Sequence, residues 1–522
     1  MRRNLHLLLL LLVAVPGRGQ TPFTYALSQD TSVNLTRPRV FERIGPDLYR
    51  VMGGSGNNDS AWTYSADIDA NGQLTNMRTM RCGVNTTNAM PSCMLRTADQ
   101  GLLVGFALPV VGTNAFSFVH TDVNGAVDWY RTYPDILGQW MIDSDRALAE
   151  KDGHYFTFGR MTMVPSNEGT ASTMVELDSV GACVAQRIWA GGDIWSNEGQ
   201  GIVRTADNGL LTVSVEHPYF SNSTWPNLSV QHWNAALQVD WSNRYSLGYM
   251  HGLVRVLATN DGGSLITGYV YPTMGGAQHA FFLRLDAAGQ VIWARWGAPG
   301  TVPTAAVEEP DGGFVVTFMS GFMARLGSDG ALISAQAISA FPGAFWGLSR
   351  DPLTGEHLVR GTSVANSTIL FRLDAALAFD CESTPYAWTD TLVTPTVTAY
   401  PVTVTTAQLA SVDTAWVSHP AVFSAVQACL PTALPELLMP AVQVWPVPAD
   451  EVIHVAWTGA DADPITYALV DATGRLVKQG KPARMDDRNL SIDLSGLSGG
   501  AYVLRLEGST TRCVRVVKGH TP

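Results

Sequence analysis

Histidine and aromatic side chains are concentrated in one short stretch, HPYFSNSTWPNLSVQHW, at residues 217–233. Imidazoles can bind metals or transfer protons, and aromatic rings can stack on a sugar or a peptide. We interpret the stretch as an inserted loop, and loops on a rigid scaffold often carry binding sites. The alternative, that these are packing or surface groups, stays open. The candidate ligand residues are His217, Tyr219, Trp225, His232 and Trp233.

A second stretch, DIDANG at 67–72, has the spacing that begins a calcium-binding loop. Such a loop also needs a bidentate glutamate at its twelfth position, and this chain has Arg78 there. Asp and Asn also favour tight turns, because their side chains bond to their own backbone. We therefore predict a structural turn here, and no metal site.

The common catalytic motifs are missing from the sequence. It contains no H-E-x-x-H, no G-x-S-x-G, no phosphate-binding G-x-x-x-x-G-K-[ST] and no dinucleotide fingerprint. A glycosidase that uses two carboxylates stays open, although no pair stands out. We favour a non-enzymatic protein and expect no cofactor.

A turn followed by an apolar run recurs along the first 380 residues, as in DQGLLVGFA at 99–107 and DNGLLTVSV at 207–215. Successive turn glycines are 52, 56, 54 and 50 residues apart, and they are Gly101, Gly153, Gly209, Gly263 and Gly313. Seven units of roughly 48 residues fit between about residue 41 and 380, which is typical of four-stranded propeller blades. We predict a seven-bladed β-propeller over 20–380, with a six- or eight-bladed ring as the alternative, closed by a strand from residues 22–40.

A hairpin alternates with this pattern, as in HTDVNGAVDW at 120–129 and the weaker copy HWNAALQVDW at 232–241. Its glycine supplies the positive φ of a tight turn. Three copies end in tryptophan, at Trp129, Trp241 and Trp293. Recurrence at one repeat position favours packing between blades over a ligand site.

The composition changes after Cys381. Residues 381–440 are rich in Thr, Val and Pro, and we predict a β-rich connector followed by a flexible linker. The cysteine pairs to test as disulfides are Cys82 with Cys93 and Cys381 with Cys429, although the sequence cannot fix connectivity. We predict no metal-binding cysteine motif, since no C-x-x-C occurs.

The N-terminus indicates export. Residues 1–19 have two arginines, a short apolar run and small residues before Gln20, as in a secretory signal peptide. We predict no membrane-spanning segment in the mature chain. The chain has 45 acidic and 33 basic residues, which argues against a nucleic-acid partner.

From residue 441 the sequence has about seven short alternating strands, which predict a small β-sandwich. WPVPADEVIHV, DATGRLV, DLSGLSGGAYVLRL and VRVVKG follow one another in it. This order resembles the C-terminal sorting domain of the type IX secretion system of Bacteroidetes, although Val447 stands where that family usually has asparagine. The matching residues are Pro446, Pro448, Ala449, Asp471, Gly474, Arg475, Leu497, Gly500, Tyr502 and Lys518.

The resemblance implies export by the type IX secretion machinery, to the outer-membrane surface or the medium. For the propeller we favour a binding module for a glycan or a protein. A secreted hydrolase or lyase with its site at the channel, and a structural or adhesive surface protein, are the alternatives. The predicted chain is thus all-β: a propeller, a connector and a sorting domain at 441–522.

Overall fold

The structure is a computed structural model with two compact units, Met1–Pro431 and Thr432–Pro522, which are described separately. Within the described ranges, no helix is long and apolar enough to cross a lipid bilayer. Those ranges are 23–28, 35–45, 48–57, 60–69, 74–82, 90–110, 113–134, 140–141, 147–162, 170–189, 194–218, 227–250, 254–273, 275–338, 343–352, 354–362, 368–374, 377, 383–386, 388–400, 402, 404–407, 412–413, 416–420, 424–427, 442–445, 449–457, 466–471, 475–484, 489–507 and 511–519.

The described strands of the first unit form six sheets, and the largest joins two antiparallel groups through one parallel pairing of Thr170 with Ser196. The antiparallel groups are numbered here as blades 1 to 7. The chain begins with β1 (Phe23–Ser28), which belongs to blade 7. Blade 1 contains β2 (Leu35–Gly45), β3 (Leu48–Asn57), β4 (Ser60–Ile68) and β5 (Leu74–Cys82). Blade 2 contains β6 (Met90–Arg96), β7 (Leu102–Val110), β8 (Thr113–Thr121) and β9 (Val127–Pro134). Blade 3 contains β10 (Trp140–Met141), β11 (Leu148–Lys151), β12 (His154–Thr162), β13 (Thr170–Leu177) and β14 (Cys183–Trp189).

The remaining blades repeat this order. Blade 4 contains β15 (Ile194–Arg204), β16 (Leu210–Pro218), β17 (Asn227–Trp233) and β18 (Val239–Ser246). Blade 5 contains β19 (Tyr249–Met250), β20 (Arg255–Ala258), β21 (Ser264–Tyr271), β22 (His279–Leu285) and β23 (Val291–Pro299). Blade 6 contains β24 (Pro303–Glu308), β25 (Phe314–Phe318), β26 (Phe322–Leu326) and β27 (Leu332–Ile338). Blade 7 contains β28 (Ala344–Arg350), β29 (His357–Thr362), β30 (Thr368–Leu373) and β1.

The blades close into a ring. The inner strands β2, β6, β11, β15, β20, β24 and β28 contact one another in that order, and β28 contacts β2 again. This is the arrangement of a β-propeller, and it confirms the all-β propeller class predicted from the repeats. The closing strand expected from residues 22–40 is β1, which pairs with β30 from Phe23 opposite Arg372 to Leu27 opposite Thr368.

Buried apolar clusters fill the spaces between neighbouring blades. Leu102 and Val104 pack with Val40 of blade 1, while Leu103 packs with Tyr155 of blade 3. Successive strand residues point to opposite faces. Because both faces of β7 are covered, its sequence is an uninterrupted apolar run and does not alternate.

The recurring tryptophans join blades 2, 4 and 5 to the blade that follows each of them. The indole N–H of Trp129 donates to the Ser179 carbonyl of blade 3 at 3.0 Å, and that of Trp293 donates to Ser328 of blade 6 at 2.8 Å. The indole ring of Trp129 lies over Gly181, whose φ is +76° and where a Cβ would be 2.6 Å from the ring. The glycine therefore serves both the tight turn and the close approach of the tryptophan.

The described parts of residues 383–427, called the strap below, lie along the outside of the ring. The sequence predicts a β-rich connector in this region. The described strands pair with the blades, because runs of two to five residues cannot bury a sheet face of their own. They are β31 (Ser383–Pro385), β32 (Thr391–Leu392), β33 (Thr396–Ala399), β34 (Thr405–Ala407), β35 (Val412–Asp413), β36 (Trp416–Pro420) and β37 (Ser424–Gln427).

The second unit consists of two four-stranded antiparallel sheets in the described residues. Residues from both sheets, among them Ile453, Leu490, Leu469 and Leu504, form one buried core. The first sheet contains β38 (Val442–Trp445), β39 (Val452–Trp457), β42 (Ala483–Arg484) and β43 (Asn489–Asp493). The second contains β40 (Thr466–Asp471), β41 (Leu476–Gly480), β44 (Gly500–Glu507) and β45 (Thr511–Lys518).

Candidate functional site

Two cavities are lined by residues at or near the C-terminal ends of the inner strands. The first has a volume of about 260 Å³ and receives residues from blades 1, 2, 5, 6 and 7. Its charged lining residues are Glu42, Arg255, Glu308, Arg350 and Arg360. The apolar part of its wall comes from Val40, Phe41, Met94, Leu257, Val307 and Leu348.

The second cavity is about 480 Å³ and more open, and residues of blades 2, 3 and 4 line it. Its charged residues are Arg96, Glu150 and Arg204. The two cavities, called the channel mouth below, thus have five arginines and three glutamates in their walls. The chain as a whole has more acidic than basic residues, but the walls of these two cavities have more arginines than glutamates.

Two of the three glutamates are already engaged in holding blades together. Glu150 of blade 3 accepts the backbone N–H of Ala98 of blade 2 at 2.7 Å, and Glu308 of blade 6 accepts that of Asn260 of blade 5 at 2.8 Å. Burial raises the pKa of Glu150. The equivalent roles of these two carboxylates in two blade pairs indicate a structural function.

Two of the arginines are held in place by hydrogen bonds to backbone carbonyls. Arg255 is only 9% exposed, and its Nη1 donates to the carbonyl of Val254 at 3.2 Å. Arg360 donates Nη2 to the carbonyl of Trp346 at 3.0 Å, and its guanidinium lies 5.8 Å from the centre of the Phe41 ring. Because such side chains are fixed before a ligand arrives, less entropy is lost on binding.

These arginines were not singled out from the sequence, although a signal exists. Arg96, Arg204 and Arg350 each precede a turn glycine of the repeat by five residues, and so does Glu308. The spacing places them at the channel end of an inner strand. A charge recurring at that repeat position therefore indicates the mouth of the ring.

A hydrolase site at the channel would need groups that can transfer protons, such as histidines or carboxylates. Of the described residues, none that lines either cavity is a histidine or an aspartate. Three glutamates are present, and two of them accept backbone N–H groups as described above. Glu42 is the third glutamate of the described lining.

One group of side chains has the composition of a metal site. The carboxylates of Asp99 and Asp128 lie 3.4 Å and 3.0 Å from the two ring nitrogens of His120 in blade 2. His120 is buried and stacks on Trp129 with ring centres 5.7 Å apart. Thr97 also contacts both Asp99 and His120.

Blade 4 repeats this group almost atom for atom. His232 lies 3.3 Å from Asp207 and 3.5 Å from Asp240, and it stacks on Trp241 with ring centres 5.7 Å apart. In blade 5 Arg284 takes the place of the histidine and bonds to Asp261. An arginine cannot bind a metal but can hold the turn, so what the three groups share is the tie between a turn and its own blade.

These contacts lower the pKa of the carboxylates in the turns. Burial alone would raise the pKa of Asp261, but hydrogen bonds from Arg284, Thr259 and Gly263 outweigh it and lower the pKa to about 2. Burial likewise opposes the effect at Asp99, where hydrogen bonds from Thr97 and Gly101 lower the pKa. Ionised turn aspartates are therefore part of the folded state.

The predicted ligand loop is divided by the structure. His217 lies near the end of β16, while His232 and Trp233 are the last two residues of β17. Trp233 is 1% exposed, and its indole N–H donates to Thr212 at 3.0 Å. His232 and Trp233 are thus core residues of blade 4, and Tyr219 and Trp225 lie outside the described residues.

The cysteine predictions stay predictions. Cys93 is fully buried between blades 2 and 3. The side chain of Cys82, as well as Cys381 and Cys429, lies outside the described residues. Within the calcium-like stretch, Asp69 is described, and Asn71 and Gly72 are not.

The motif residues of the second unit meet at one end of it. Ala449 is fully buried and pairs with Lys518, with its N–H donating to Val517 at 2.8 Å. The ammonium of Lys518 donates to the carbonyls of Leu494 and Leu497, both at 2.8 Å. The last strand is thereby fixed to the turn that precedes β44.

Two further motif positions stabilise turns. The Tyr502 hydroxyl donates to the carbonyl of Ser498 at 2.6 Å, and Gly500 follows that turn with a φ of 158°. Arg475 donates its backbone N–H and Nε to the carboxylate of Asp471, both at 3.1 Å. Pro446, Pro448 and Gly474 lie outside the described residues.

The fold and its motif turns define a β-propeller protein with a separate C-terminal module. Residues 443–518 match the secretion system C-terminal sorting domain family. The sorting domain predicted from the sequence is thereby confirmed. This domain marks proteins exported by type IX secretion, so the protein is secreted or attached to the cell surface.

Solved structures with some similarity are also propellers. The WD40 propeller domain of Doa1 is 13% identical, with 66% of this chain and 96% of that chain covered and a TM-score of 0.40. BamB from Moraxella catarrhalis is 14% identical, with 66% and 99% covered and a TM-score of 0.37. YCF48 bound to D1 peptide is 11% identical, with 66% and 97% covered and a TM-score of 0.36. These likenesses are too distant to indicate a function. No curated protein matches the chain.

Proposed function

We propose that the propeller is an extracellular, non-enzymatic binding module whose channel mouth takes an acidic segment of a protein. The observation that supports this is the presence of five arginines from four blades, Arg96, Arg204, Arg255, Arg350 and Arg360, in the walls of the two cavities. Guanidinium groups bind carboxylates through paired, charge-assisted hydrogen bonds.

The charge balance at the mouth favours an anionic ligand. Five arginines face three glutamates, and Glu150 and Glu308 already accept backbone N–H groups. Arg350 is also engaged, since its Nε lies 3.3 Å from Glu309. A net positive charge remains, and an acidic ligand would be attracted to the mouth against the negative charge of the whole chain.

The apolar part of the wall favours a peptide over a glycan. Val40, Met94, Leu257 and Leu348 suit aliphatic side chains that flank an acidic residue. Sugar rings are commonly bound by stacking on aromatic faces. The described lining contains one aromatic residue, Phe41, and the Arg360 guanidinium lies beside its ring.

The test uses the full exported chain, residues 20–522, on two arrays. One displays peptides in which Asp or Glu alternates with aliphatic residues, and the other displays neutral and uronic-acid glycans. We expect retention on the acidic peptides, weakened by salt because charge pairs are screened. Binding to glycans alone, or to neither array, would overturn the proposal.

Substitutions of single arginines test whether the peptide binds at the channel mouth. Arg255→Gln and Arg204→Gln should each weaken peptide binding by at least about tenfold, because a charged hydrogen bond is lost at a site partly shielded from water. Arg475→Gln makes the same change of charge in the second unit, where the side chain is 78% exposed, and should leave binding unchanged. Equal losses in all three variants would show that only the overall charge matters.

A further inference from the structure

The strap visits every blade in a fixed order. Its seven strands add to the outer strands β27, β23, β18, β14, β9 and β5 of blades 6, 5, 4, 3, 2 and 1, and finally to β1 of blade 7. The chain therefore goes around the ring once to build the blades and a second time, in the reverse direction, along their outer edges.

An outer blade edge would otherwise present unpaired backbone groups. Such edges can pair with other chains, and they let water compete for the outermost ladder. Each strap strand supplies a fifth strand, as where Arg187 of β14 lies opposite Thr406 and Arg295 of β23 lies opposite Leu392. The described edges of all seven blades are covered by the chain itself.

The strap has its strongest effect where the ring closes. Ala26 of β1 lies opposite Ile369 of β30 on one side and Val426 of β37 on the other. Without the strap, β1 would be an edge strand held by one ladder. With the strap it lies between two strands and is held by two ladders, so β1 alone cannot leave blade 7 without breaking both.

Aromatic side chains fix the strap against the blades. The Tyr386 ring stacks on Phe322, with ring centres 3.9 Å apart. The Tyr400 ring lies 3.5 Å from the guanidinium of Arg244. Trp388 covers Gly297, where a Cβ would be 2.4 Å from the indole ring.

We propose that the strap is a lock that keeps the propeller closed by pinning β1 inside blade 7. The lock belongs to the propeller unit, since it ends at Gln427, before the second unit begins at Thr432. Closure therefore does not depend on the sorting domain. An exported propeller that has lost its sorting domain keeps both ladders on β1.

Hydrogen exchange on the full chain tests the lock at blade 7. Neighbouring N–H groups of an edge strand point in opposite directions, so of Ala425→Pro and Val426→Pro one removes a bond to β1 and the other does not. We expect the damaging substitution to speed amide exchange in residues 23–28 by at least about tenfold, and the other to have little effect. Unchanged exchange of 23–28 in both variants would overturn the lock.

In blade 5 the structure shows which way two neighbouring N–H groups of the strap point. The N–H of Val393 donates to Ala294 at 2.9 Å, so that of Leu392 points outward. Val393→Pro should speed exchange in 391–400, and Leu392→Pro should not. If the strap were only a linker, both would behave alike, and its amides would exchange as freely as those of an unstructured segment.

A glycine substitution gives an independent disturbance without proline. Gly297→Ala should displace Trp388 and loosen the strap over blades 5 and 6, because the added methyl group meets the indole ring. Gly45→Ala is the control, since its added Cβ would lie 3.5 Å from Leu48, an ordinary contact. If the strap amides were equally protected from exchange in these two variants, the result would contradict the anchoring role of Trp388.

Discussion

Replacing Lys518 by methionine should destabilise the sorting domain and reduce export. The side chain is 7% exposed, and its ammonium donates to two backbone carbonyls, of Leu494 and Leu497. A hydrogen bond to a charged group contributes about 1.5–3 kcal/mol. Methionine keeps the aliphatic packing but leaves both carbonyls without this donor. Since the buried ammonium itself costs free energy, we expect a net loss of about 3 kcal/mol, which is more than about a hundredfold in the unfolding constant.

The assay is amide exchange of β44 and β45 in the full chain, together with the amount of protein at the cell surface and in the medium. Exchange in these strands should become faster by about the same factor as the unfolding constant, while blades 1 to 7 stay protected. Lys481→Met is the control, because it removes the same charge from an exposed position. If Lys518→Met left both exchange and export unchanged, or if Lys481→Met had the same effect, the role derived for the ammonium would be refuted.

Three further outcomes are expected. Deleting residues 442–522 should trap the propeller in the periplasm, and normal surface levels after the deletion would contradict export by this domain. Gly181→Ala should lower the melting temperature and expose Trp129 to quenchers, because its φ is +76° and its Cβ would meet the indole ring; an unchanged spectrum would count against the contact. Asp261 has a folded pKa lowered to about 2, so its stabilising effect is present above its ordinary value of 3.8 and is lost as the pH falls towards 2. Asp261→Asn should therefore flatten the acid branch of the stability curve by about 1 kcal/mol or less, since its carboxylate is 58% exposed, and an unaltered acid branch would refute this.

The blade repeat could be predicted because its residues serve local needs. Gly181 must be glycine for its own turn, and Trp129 must be large to reach that turn from the neighbouring blade, so both recur at fixed spacing. The repeat could also have shown that His232 belongs to a blade and not to an inserted loop. It begins a hairpin copy as His120 does, and the two histidines make the same contacts in blades 4 and 2.

The strap could not be predicted in the same way. Its strands have two to five residues, and alternating Thr and Val suit any extended segment. What assigns each strand to a blade is its partner across the ladder. Thr406, for example, lies opposite Arg187, which is 219 residues earlier in the chain. Such distant pairing leaves little trace in the short segment itself.

The strap also restricts where a partner can bind. Extended peptides often bind by adding a strand to an open sheet edge. Here the outermost ladders are occupied by β31 to β37, and the blade faces are buried against one another in seven apolar clusters. The ends of the ring are left for recognition, and the arginines of the channel mouth lie at one of them. Loosening the strap with Val393→Pro should therefore leave binding of acidic peptides intact while it exposes a blade edge. Loss of peptide binding in that variant would instead place the peptide on the edge.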